Sequence, residues 1–200
     1  MKALAMWKIF SAVFQPILIS TYCALLLVSS DFFSETMNPL LFVLAIFTFT
    51  ALVPFLGIVI LKQRGAISSI LLPERTERTK PYIITIVCYA AAIAFLYYAH
   101  TPPLVVNMML GSVIAVLCCG VVNFRWKISA HLCGMGSLTA MIALFAWRNE
   151  HFVLLPLVAM VLLSLCVAIS RIVLKAHTAM QTVAGFAMGF SGVCLFSLLV

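Results

Sequence analysis

The chain has 200 residues, of which 65% are hydrophobic and only 8% are charged, and its mean hydropathy is +1.22. A water-soluble domain carries about 25% charged residues, so this composition excludes an ordinary soluble globule. The formal charge of +7 then reflects orientation in a membrane and an anionic substrate, rather than binding of nucleic acid.

The apolar residues fall into seven segments, each close to the ~20 residues that a helix needs to cross a bilayer. Their approximate bounds are 7–29, 39–61, 82–99, 104–122, 130–147, 152–169 and 178–199. We therefore predict an all-α, polytopic membrane bundle of six or seven transmembrane helices, formed as a single domain over residues 1–200.

The first of these segments follows a basic stretch, Met1 to Lys8, that resembles the start of a signal peptide. The apolar run extends to about Ser29 without a small-x-small cleavage site, and it is longer than the apolar core of a signal peptide. The sequence therefore predicts a retained first helix.

Nine of the twelve basic residues lie in three loops, at 62–80, 123–128 and 170–177. Alternate crossings place these loops and the N-terminus on one side of the membrane. The opposite side receives the short loops 30–38, 100–103 and 148–151. Because basic residues concentrate on the inner side of membranes, we predict that the three basic loops face the cytoplasm from an inner or plasma membrane.

The small side chains inside the apolar segments indicate packing rather than chemistry. The seven cysteines form no Cys-x-x-Cys pair and nearly all lie in apolar runs, so neither disulfides nor a zinc site are expected. The chain has no carboxylate cluster, and we expect no metal and no other cofactor. Gly185, Gly189 and Gly192 in the last segment predict close contact with a neighbouring helix.

The loop 62–80 is the first of three candidate sites. Arg75 and Arg78 are three residues apart and Lys80 precedes the third apolar segment, so the three cations could form a clamp on a phosphate group. The alternative is a solvated charge run that only sets the topology.

Two further features of this loop carry predictions. Glu74 and Glu77 lie between the cations and could orient them. The stretch 67–72 is apolar and short, and we expect it to lie at the membrane interface as an amphipathic piece.

The second candidate site opens the fifth apolar segment, in the sequence Lys127-Ile128-Ser129-Ala130-His131. Ser129 fits a helix N-cap, and the free N–H groups of a helix N-terminus attract anions. With Lys127 just outside the helix and His131 on its first turn, the segment predicts a phosphate site with a proton donor. The alternative is a capped helix whose His131 binds a carbonyl group of a neighbouring segment.

The third and strongest signal is Ser170-Arg171 followed, after five residues, by His177. Gln181 lies four residues beyond His177 on the same helical face, so its oxygen can accept from Nδ1–H of the imidazole. That bond would leave Nε2 bare, as an imidazole nucleophile requires. The fork of Arg171 can hold two phosphoryl oxygens. The alternative is an interfacial arginine and histidine at a helix end.

Together the last two stretches resemble a known family. Ser170-Arg171-x5-His177 and Ser129-Ala130-His131 are similar to the third and second motifs of the type 2 phosphatidic acid phosphatase superfamily, Ser-Arg-x5-His-x3-Asp and Pro-Ser-Gly-His. The resemblance covers roughly residues 125–190.

This resemblance implies a role for each matching residue. His177 would be the nucleophile that forms a phosphohistidine, oriented by Gln181, and His131 would be the general acid that protonates the leaving oxygen. The phosphate-binding residues would be Arg171, Ser129 and Ser170.

The chain departs from the second and third motifs at three positions. Ile128 stands in place of Pro, Ala130 in place of Gly, and Gln181 in place of Asp. The His-x3-Gln form also occurs in the similar dolichyl diphosphatases. Without the carboxylate the imidazole is less basic, so a modest turnover is expected.

The first motif of the family, Lys-x6-Arg-Pro, is not recoverable in this chain. Only Lys80-Pro81 resembles its end. Lys127, Arg75 and Arg78 are therefore the candidates for the cations that the first motif would supply.

The leading hypothesis from the sequence is an integral membrane phosphatase acting on a lipid phosphate or diphosphate, with a polyprenyl diphosphate of the undecaprenyl type favoured. Phosphatidic acid and phosphatidylglycerol phosphate are alternative substrates. Because two motifs are degenerate, a non-enzymatic lipid or anion carrier and a structural membrane subunit stay open as alternatives. The expected partners are the lipid substrate and the bilayer, and the oligomeric state is left open.

Overall fold

The computed structural model describes residues 2–29, 37–148 and 154–197, and the secondary structure within these ranges is entirely helical. The α-helices are α1 Lys2–Val13, α2 Pro16–Val28, α3 Pro39–Phe47, α4 Val53–Gln63, α5 Thr79–Tyr98, α6 Pro103–Asn123, α7 Ala130–Arg148, α8 Leu154–Val173 and α9 Ala179–Ser197. A π-helical turn, Thr48–Leu52, joins α3 to α4, and a 3₁₀ turn, Thr76–Arg78, precedes α5.

Helices α5, α6, α8 and α9 are each long and apolar enough to cross a membrane, and α3, the π-helical turn and α4 together form one further span. Within the described ranges five spans meet this description, and a sixth results if α1 and α2 are counted together, while α7 is a shorter apolar helix. The prediction of an all-α polytopic membrane bundle is confirmed. Most of the predicted loops 30–38 and 148–151 lies outside the described residues.

The first apolar segment, predicted as one helix over 7–29, is broken. Helix α1 ends at Val13 and α2 begins at Pro16, and the two helices are bent by 58°. Gln15 has an extended backbone, with a ψ of 133°, because the residue before a proline is pushed out of the helical region and the proline has no N–H to continue the helix. The break places α1 against α8.

The segment between α4 and α5 is mostly irregular, and the amphipathic piece predicted for 67–72 forms turns instead. Ile67 is buried, whereas Leu71 is 76% exposed. The carboxylate of Glu77 accepts hydrogen bonds from the N–H and the hydroxyl of Ser68, both at 2.8 Å. Glu77 therefore fixes this loop, rather than orienting an arginine as predicted.

Helix α9 packs closely against α7 and α6. Gly185 and Gly189 lie against the backbone at Ser129 and Cys133, and Gly192 lies against the backbone of α6. A Cβ atom at any of these glycines would overlap a carbonyl oxygen of the neighbouring segment. The predicted close contact is confirmed, and it holds the first turn of α7 in a fixed position beside α9.

We expect Gly189→Ala to destabilise this contact. The added methyl group would meet the carbonyl oxygen of Cys133, so α7 and α9 would have to separate, at a cost of roughly 1–3 kcal/mol. Gly120→Ala is the matched control, because a Cβ atom there makes an ordinary contact of 3.6 Å with Tyr82. Thermal unfolding in detergent should show a lower midpoint for Gly189→Ala alone, and equal midpoints would contradict the packing.

Candidate active site

The three basic loops meet at one end of the bundle. The N–H of Ser129 donates to the carbonyl oxygen of Gln181 at 3.3 Å, which joins the second loop to the start of α9. Nη1 of Arg78 lies 3.4 Å from the carbonyl oxygen of Ile128, which joins the first loop to the second. These contacts bring together the loops that the charge distribution predicted to share one face.

His177 lies between α8 and α9, with its side chain buried. Its Nδ1 is 3.2 Å from Oε1 of Gln181, and the same oxygen accepts from the N–H of Thr178 at 3.1 Å. Because an amide oxygen only accepts, Nδ1 carries the proton. Nε2 then makes no hydrogen bond with the described residues, which is the arrangement that the four-residue spacing predicted.

The surroundings of His177 keep its imidazole neutral. Burial is the main cause, and the positive charges of Arg78 and Arg171 add to it, so that the pKa of His177 falls from 6.5 to about 4. The hydrogen bond with Gln181 acts in the opposite direction but does not offset these effects. At neutral pH the nitrogen lone pair is therefore available for attack.

We expect the chemical reactivity of His177 to persist into acid. Diethyl pyrocarbonate modifies the neutral imidazole, so a pKa of about 4 should preserve most of the modification rate near pH 5.5. A free histidine peptide has lost roughly nine-tenths of its rate at that pH. Peptide mass spectrometry across the acid range measures the rate at His177, and a half-maximal rate near the ordinary imidazole pKa would count against these surroundings.

Arg171 and Ser170 point to different neighbours. Nη1 of Arg171 donates to Oγ of Ser11 at 2.6 Å, and its Nε is buried without an acceptor among the described residues. Ser170 is fully buried, and its hydroxyl donates to the carbonyl oxygen of Trp7 at 3.3 Å. Arg171 is thus the member of this pair with a free donor, while Ser170 anchors α1.

His131 lies on the first turn of α7 and is 9% exposed. Its Nε2 is 3.2 Å from the carbonyl oxygen of Ser11 and 3.4 Å from the hydroxyl of the same residue. Contact with a carbonyl group of a neighbouring segment is the alternative that the sequence left open for His131. Since Ser11 also binds Arg171, α1 links the two candidate sites in one network.

One cavity of about 610 Å³ connects these groups. Its wall is largely apolar and includes residues of α2, the π-helical turn, α4, α5, α6 and α7. Leu52 and Phe55, which are 40% and 46% exposed, are among them. Within the described ranges, no group of three or more His, Cys, Asp or Glu side chains could hold a metal ion. The arginine and histidine side chains in the wall are Arg78, His131, Arg171 and His177.

Residues 120–200 match the sequence model of the PAP2 superfamily. The match covers less than half of the chain, and it is the C-terminal part that resembles the PAP2 superfamily. The resemblance to type 2 phosphatidic acid phosphatases is thereby confirmed, and because PAP2 proteins are in general phosphatases, the match supports a phosphate hydrolase. No curated protein and no solved structure matches the chain significantly.

Ser129 and Lys127, in the second PAP2 motif region, lie outside the cavity wall. The Ser129 hydroxyl is buried and accepts from the N–H of Leu132 at 3.5 Å, as an N-cap residue does. Lys127 is partly exposed, and its partial burial and the charge of Arg78 lower its pKa. Ser129 therefore caps α7, and Lys127 adds positive charge from beside the cavity.

Of the three cations predicted as a clamp, the structure brings one to the cavity. Arg78 lines the wall, with its Nε donating to the carbonyl oxygen of Leu72 at 3.0 Å. Arg75 donates instead to the carbonyl oxygen of Asn123 at 2.7 Å and to the next one, so it caps the end of α6. Lys80 is exposed and lies outside the wall. Arg78 is thus the candidate substitute for the missing first PAP2 motif.

Ser11 is the residue at this site that sequence reasoning missed. It is one of three serines in the apolar segment 7–29, it lies 160 positions away from Arg171, and no motif or spacing marks it. Pro16 was the one local signal of a bend between α1 and α2, and this bend lets α1 contact another part of the bundle.

Proposed function

We propose that this protein is a membrane lipid-phosphate phosphatase that works through a covalent phosphohistidine. The observation that carries this proposal is one largely apolar cavity whose wall holds His177, Arg171 and His131. Among the residues that the structure describes, Nε2 of His177 and Nε of Arg171 have no hydrogen-bond partner. Phosphoryl transfer requires a nucleophile in line, cations on the phosphoryl oxygens and a proton donor for the leaving group. A lipid substrate additionally requires an apolar wall.

In the first step, Nε2 of His177 attacks the phosphorus atom on the side opposite the leaving oxygen. A P–N bond forms while the P–O bond to the leaving group breaks, and the electron pair of that bond stays on the oxygen. The leaving oxygen takes a proton from the imidazolium form of His131, which becomes neutral. Arg171 and Arg78 hold the phosphoryl oxygens, and this positioning and charge stabilisation supply most of the rate.

In the second step, water attacks the phosphohistidine. His131, now without the donated proton, accepts one from the water molecule. The P–N bond breaks, its electron pair returns to Nε2 of His177, and inorganic phosphate leaves. Gln181 holds Nδ1–H throughout, so the ring keeps its orientation, although an amide makes the imidazole less basic than a carboxylate would.

We favour a polyprenyl diphosphate of the undecaprenyl type as the substrate. The apolar wall formed by α2, α4 and α5 suits one long, flexible hydrocarbon chain that enters from the bilayer. The His-x3-Gln form is also shared with the similar dolichyl diphosphatases. The bond broken would then be a P–O bond of the bridge between the two phosphates, which yields a polyprenyl monophosphate. Phosphatidic acid and phosphatidylglycerol phosphate are the alternatives.

We further propose that the site faces the cytoplasm from an inner or plasma membrane. In the predicted topology, eleven of the twelve basic residues share the side of the three loops. Substrate binding accounts for some of these cations. Without them, Lys2, Lys8, Lys62 and Arg64 still outnumber Arg148.

Phosphate release from a panel of lipids tests the proposed activity. Purified protein in detergent receives a polyprenyl diphosphate, phosphatidic acid or phosphatidylglycerol phosphate, and inorganic phosphate is measured over time. We expect release, with the highest kcat/KM for the polyprenyl diphosphate. If none of the three lipids is hydrolysed, the proposed activity is wrong, whereas a preference for a two-chain lipid contradicts only the choice of substrate.

A lipid or anion carrier is the second candidate function. It is favoured by the contact between His131 and the carbonyl oxygen of Ser11, which engages the ring nitrogen that would donate to a leaving group. A carrier would bind the polyprenyl diphosphate through Arg171 without releasing phosphate. Its lipid binding would survive His177→Asn and weaken in Arg171→Lys, so binding and phosphate release measured on the same samples separate the two functions.

A further inference from the structure

Ser11 of α1 lies between the two groups on which the proposed reaction depends. Its Oγ accepts from Nη1 of Arg171 at 2.6 Å, and Nε2 of His131 is 3.2 Å from its carbonyl oxygen and 3.4 Å from its Oγ. The side chain is 6% exposed, and the next residue, Ala12, lines the cavity. Ser11 is therefore a buried polar group at the margin of the cavity.

These contacts indicate which atoms carry hydrogens. A carbonyl oxygen only accepts, so the shorter of the two contacts of His131, at 3.2 Å, assigns a proton to its Nε2. The same nitrogen then cannot accept from the Ser11 hydroxyl, and the guanidinium of Arg171 cannot accept at all. The hydroxyl hydrogen of Ser11 thus has no acceptor in the part of the chain that the structure describes.

Nε of Arg171 is a second donor of the same kind, buried and without an acceptor among the described residues. The two donors belong to side chains that are joined by a hydrogen bond of 2.6 Å, so they are adjacent. A phosphoryl group carries several oxygens that only accept, and it can satisfy both donors at once. A neutral hydroxyl headgroup has one oxygen and brings a donor of its own, so it fits this pair less well.

We propose that Ser11 is a phosphoryl-binding residue, which donates its hydroxyl hydrogen to the same phosphoryl group that Arg171 holds. This assignment rests on the proposed function, because it takes the phosphoryl group to be that of the substrate. The break at Pro16 is what brings α1 to this position. The region that matches the PAP2 superfamily, 120–200, therefore contains only part of the binding site, and the N-terminal helix completes it.

Orthovanadate, an oxyanion that imitates phosphate, is the probe for this assignment. Its dissociation constant is measured for the full chain in detergent and for Ser11→Ala, Ser11→Thr and Ser191→Ala. Ser191 is the matched control, because it is exposed on α9 and its hydroxyl donates to the carbonyl groups of Ala187 and Met188 in its own helix. We expect Ser11→Ala to raise the dissociation constant of orthovanadate by roughly tenfold or more, since a hydrogen bond to a charged group is lost. Ser11→Thr should keep most of the affinity.

Thermal midpoints measured on the same samples report whether each variant is folded. If Ser11→Ala lowers the midpoint, Ser11→Cys replaces it, because a thiol keeps the volume and is a weaker donor. Unchanged vanadate binding by the folded variant overturns the assignment. Tighter binding also overturns it, because the hydroxyl would then compete with the anion for Arg171.

The lipid panel, run on these samples, separates this assignment from the proposed function. Lipid hydrolysis by the unaltered protein, combined with vanadate binding that does not depend on Ser11, overturns the assignment alone. Vanadate binding that depends on Ser11, without hydrolysis of any lipid, supports the assignment and overturns the proposed function. Failure of the unaltered protein to bind vanadate overturns the assignment whatever the panel shows.

Discussion

Replacing His177 by asparagine is expected to lower phosphate release from the lipid substrate by roughly four to six orders of magnitude, because loss of a covalent nucleophile leaves only binding and charge stabilisation. Asparagine is polar and smaller than histidine, so the bundle should stay folded. His100→Asn is the matched control. His100 is exposed in the turn between α5 and α6, and asparagine tolerates its φ of 53°.

Initial rates of phosphate release and thermal midpoints are measured on both variants in the same detergent. The control should match the unaltered protein in both measurements. A rate for His177→Asn within about tenfold of the unaltered protein would exclude His177 as the nucleophile, since effects of that size arise from lesser changes in positioning. Equal losses in both variants would indicate general damage to the protein.

Replacing Arg171 by lysine is expected to lower kcat/KM by roughly two to three orders of magnitude. Lysine keeps the positive charge, so a buried cation is retained. A single ammonium group cannot reproduce the planar guanidinium group of Arg171. In that group Nη1 donates to Ser11, while Nε has no acceptor among the described residues and can donate to a phosphoryl oxygen. Arg125→Lys is the matched control, because Arg125 is exposed in the adjacent loop.

Steady-state kinetics and vanadate affinity, measured on both lysine variants, check this expectation. Vanadate binding should weaken in Arg171→Lys and stay unchanged in Arg125→Lys. If Arg171→Lys retained full kcat/KM, the site would need only a positive charge at that position, and the argument from the geometry of the fork would be wrong.

The sequence was sufficient for those parts of the site that depend on local periodicity. Helical spacing placed Gln181 beside His177, because residues four apart lie on one face of a helix whatever surrounds them. Glycine spacing likewise predicted that α9 would approach its neighbours closely. Charge placement predicted which loops would meet, since alternate crossings of a membrane leave few other arrangements.

The sequence was not sufficient where a side chain chooses between distant partners. Arg75 and Arg78 are both arginines, and each is preceded by a glutamate and followed by a threonine. Arg75 nevertheless caps the end of α6, while Arg78 lines the cavity. Ser170 sits beside Arg171 but bonds to Trp7. These outcomes depend on how helices far apart in the chain pack together, and Ser11 reaches the site for the same reason. Local patterns do not carry that information.

The first PAP2 motif shows how a pattern can be absent while one of its elements persists. The chain lacks the Lys-x6-Arg-Pro spacing, and yet a guanidinium from the segment before α5 lies in the same cavity as His131 and His177. The position of Arg78 is fixed by backbone carbonyl groups of Leu72 and Ile128, not by the Glu77 carboxylate. A search by motif alone would therefore overlook this cation.

Trapping the covalent intermediate tests the central claim most directly. The protein is mixed briefly with a polyprenyl diphosphate that is radiolabelled in its terminal phosphate, quenched in alkali, digested and analysed by mass spectrometry. We expect label on the peptide that contains His177, lost on acid treatment and absent from His177→Asn. Hydrolysis of the lipid with no labelled protein, or with label on any other residue, would contradict the account.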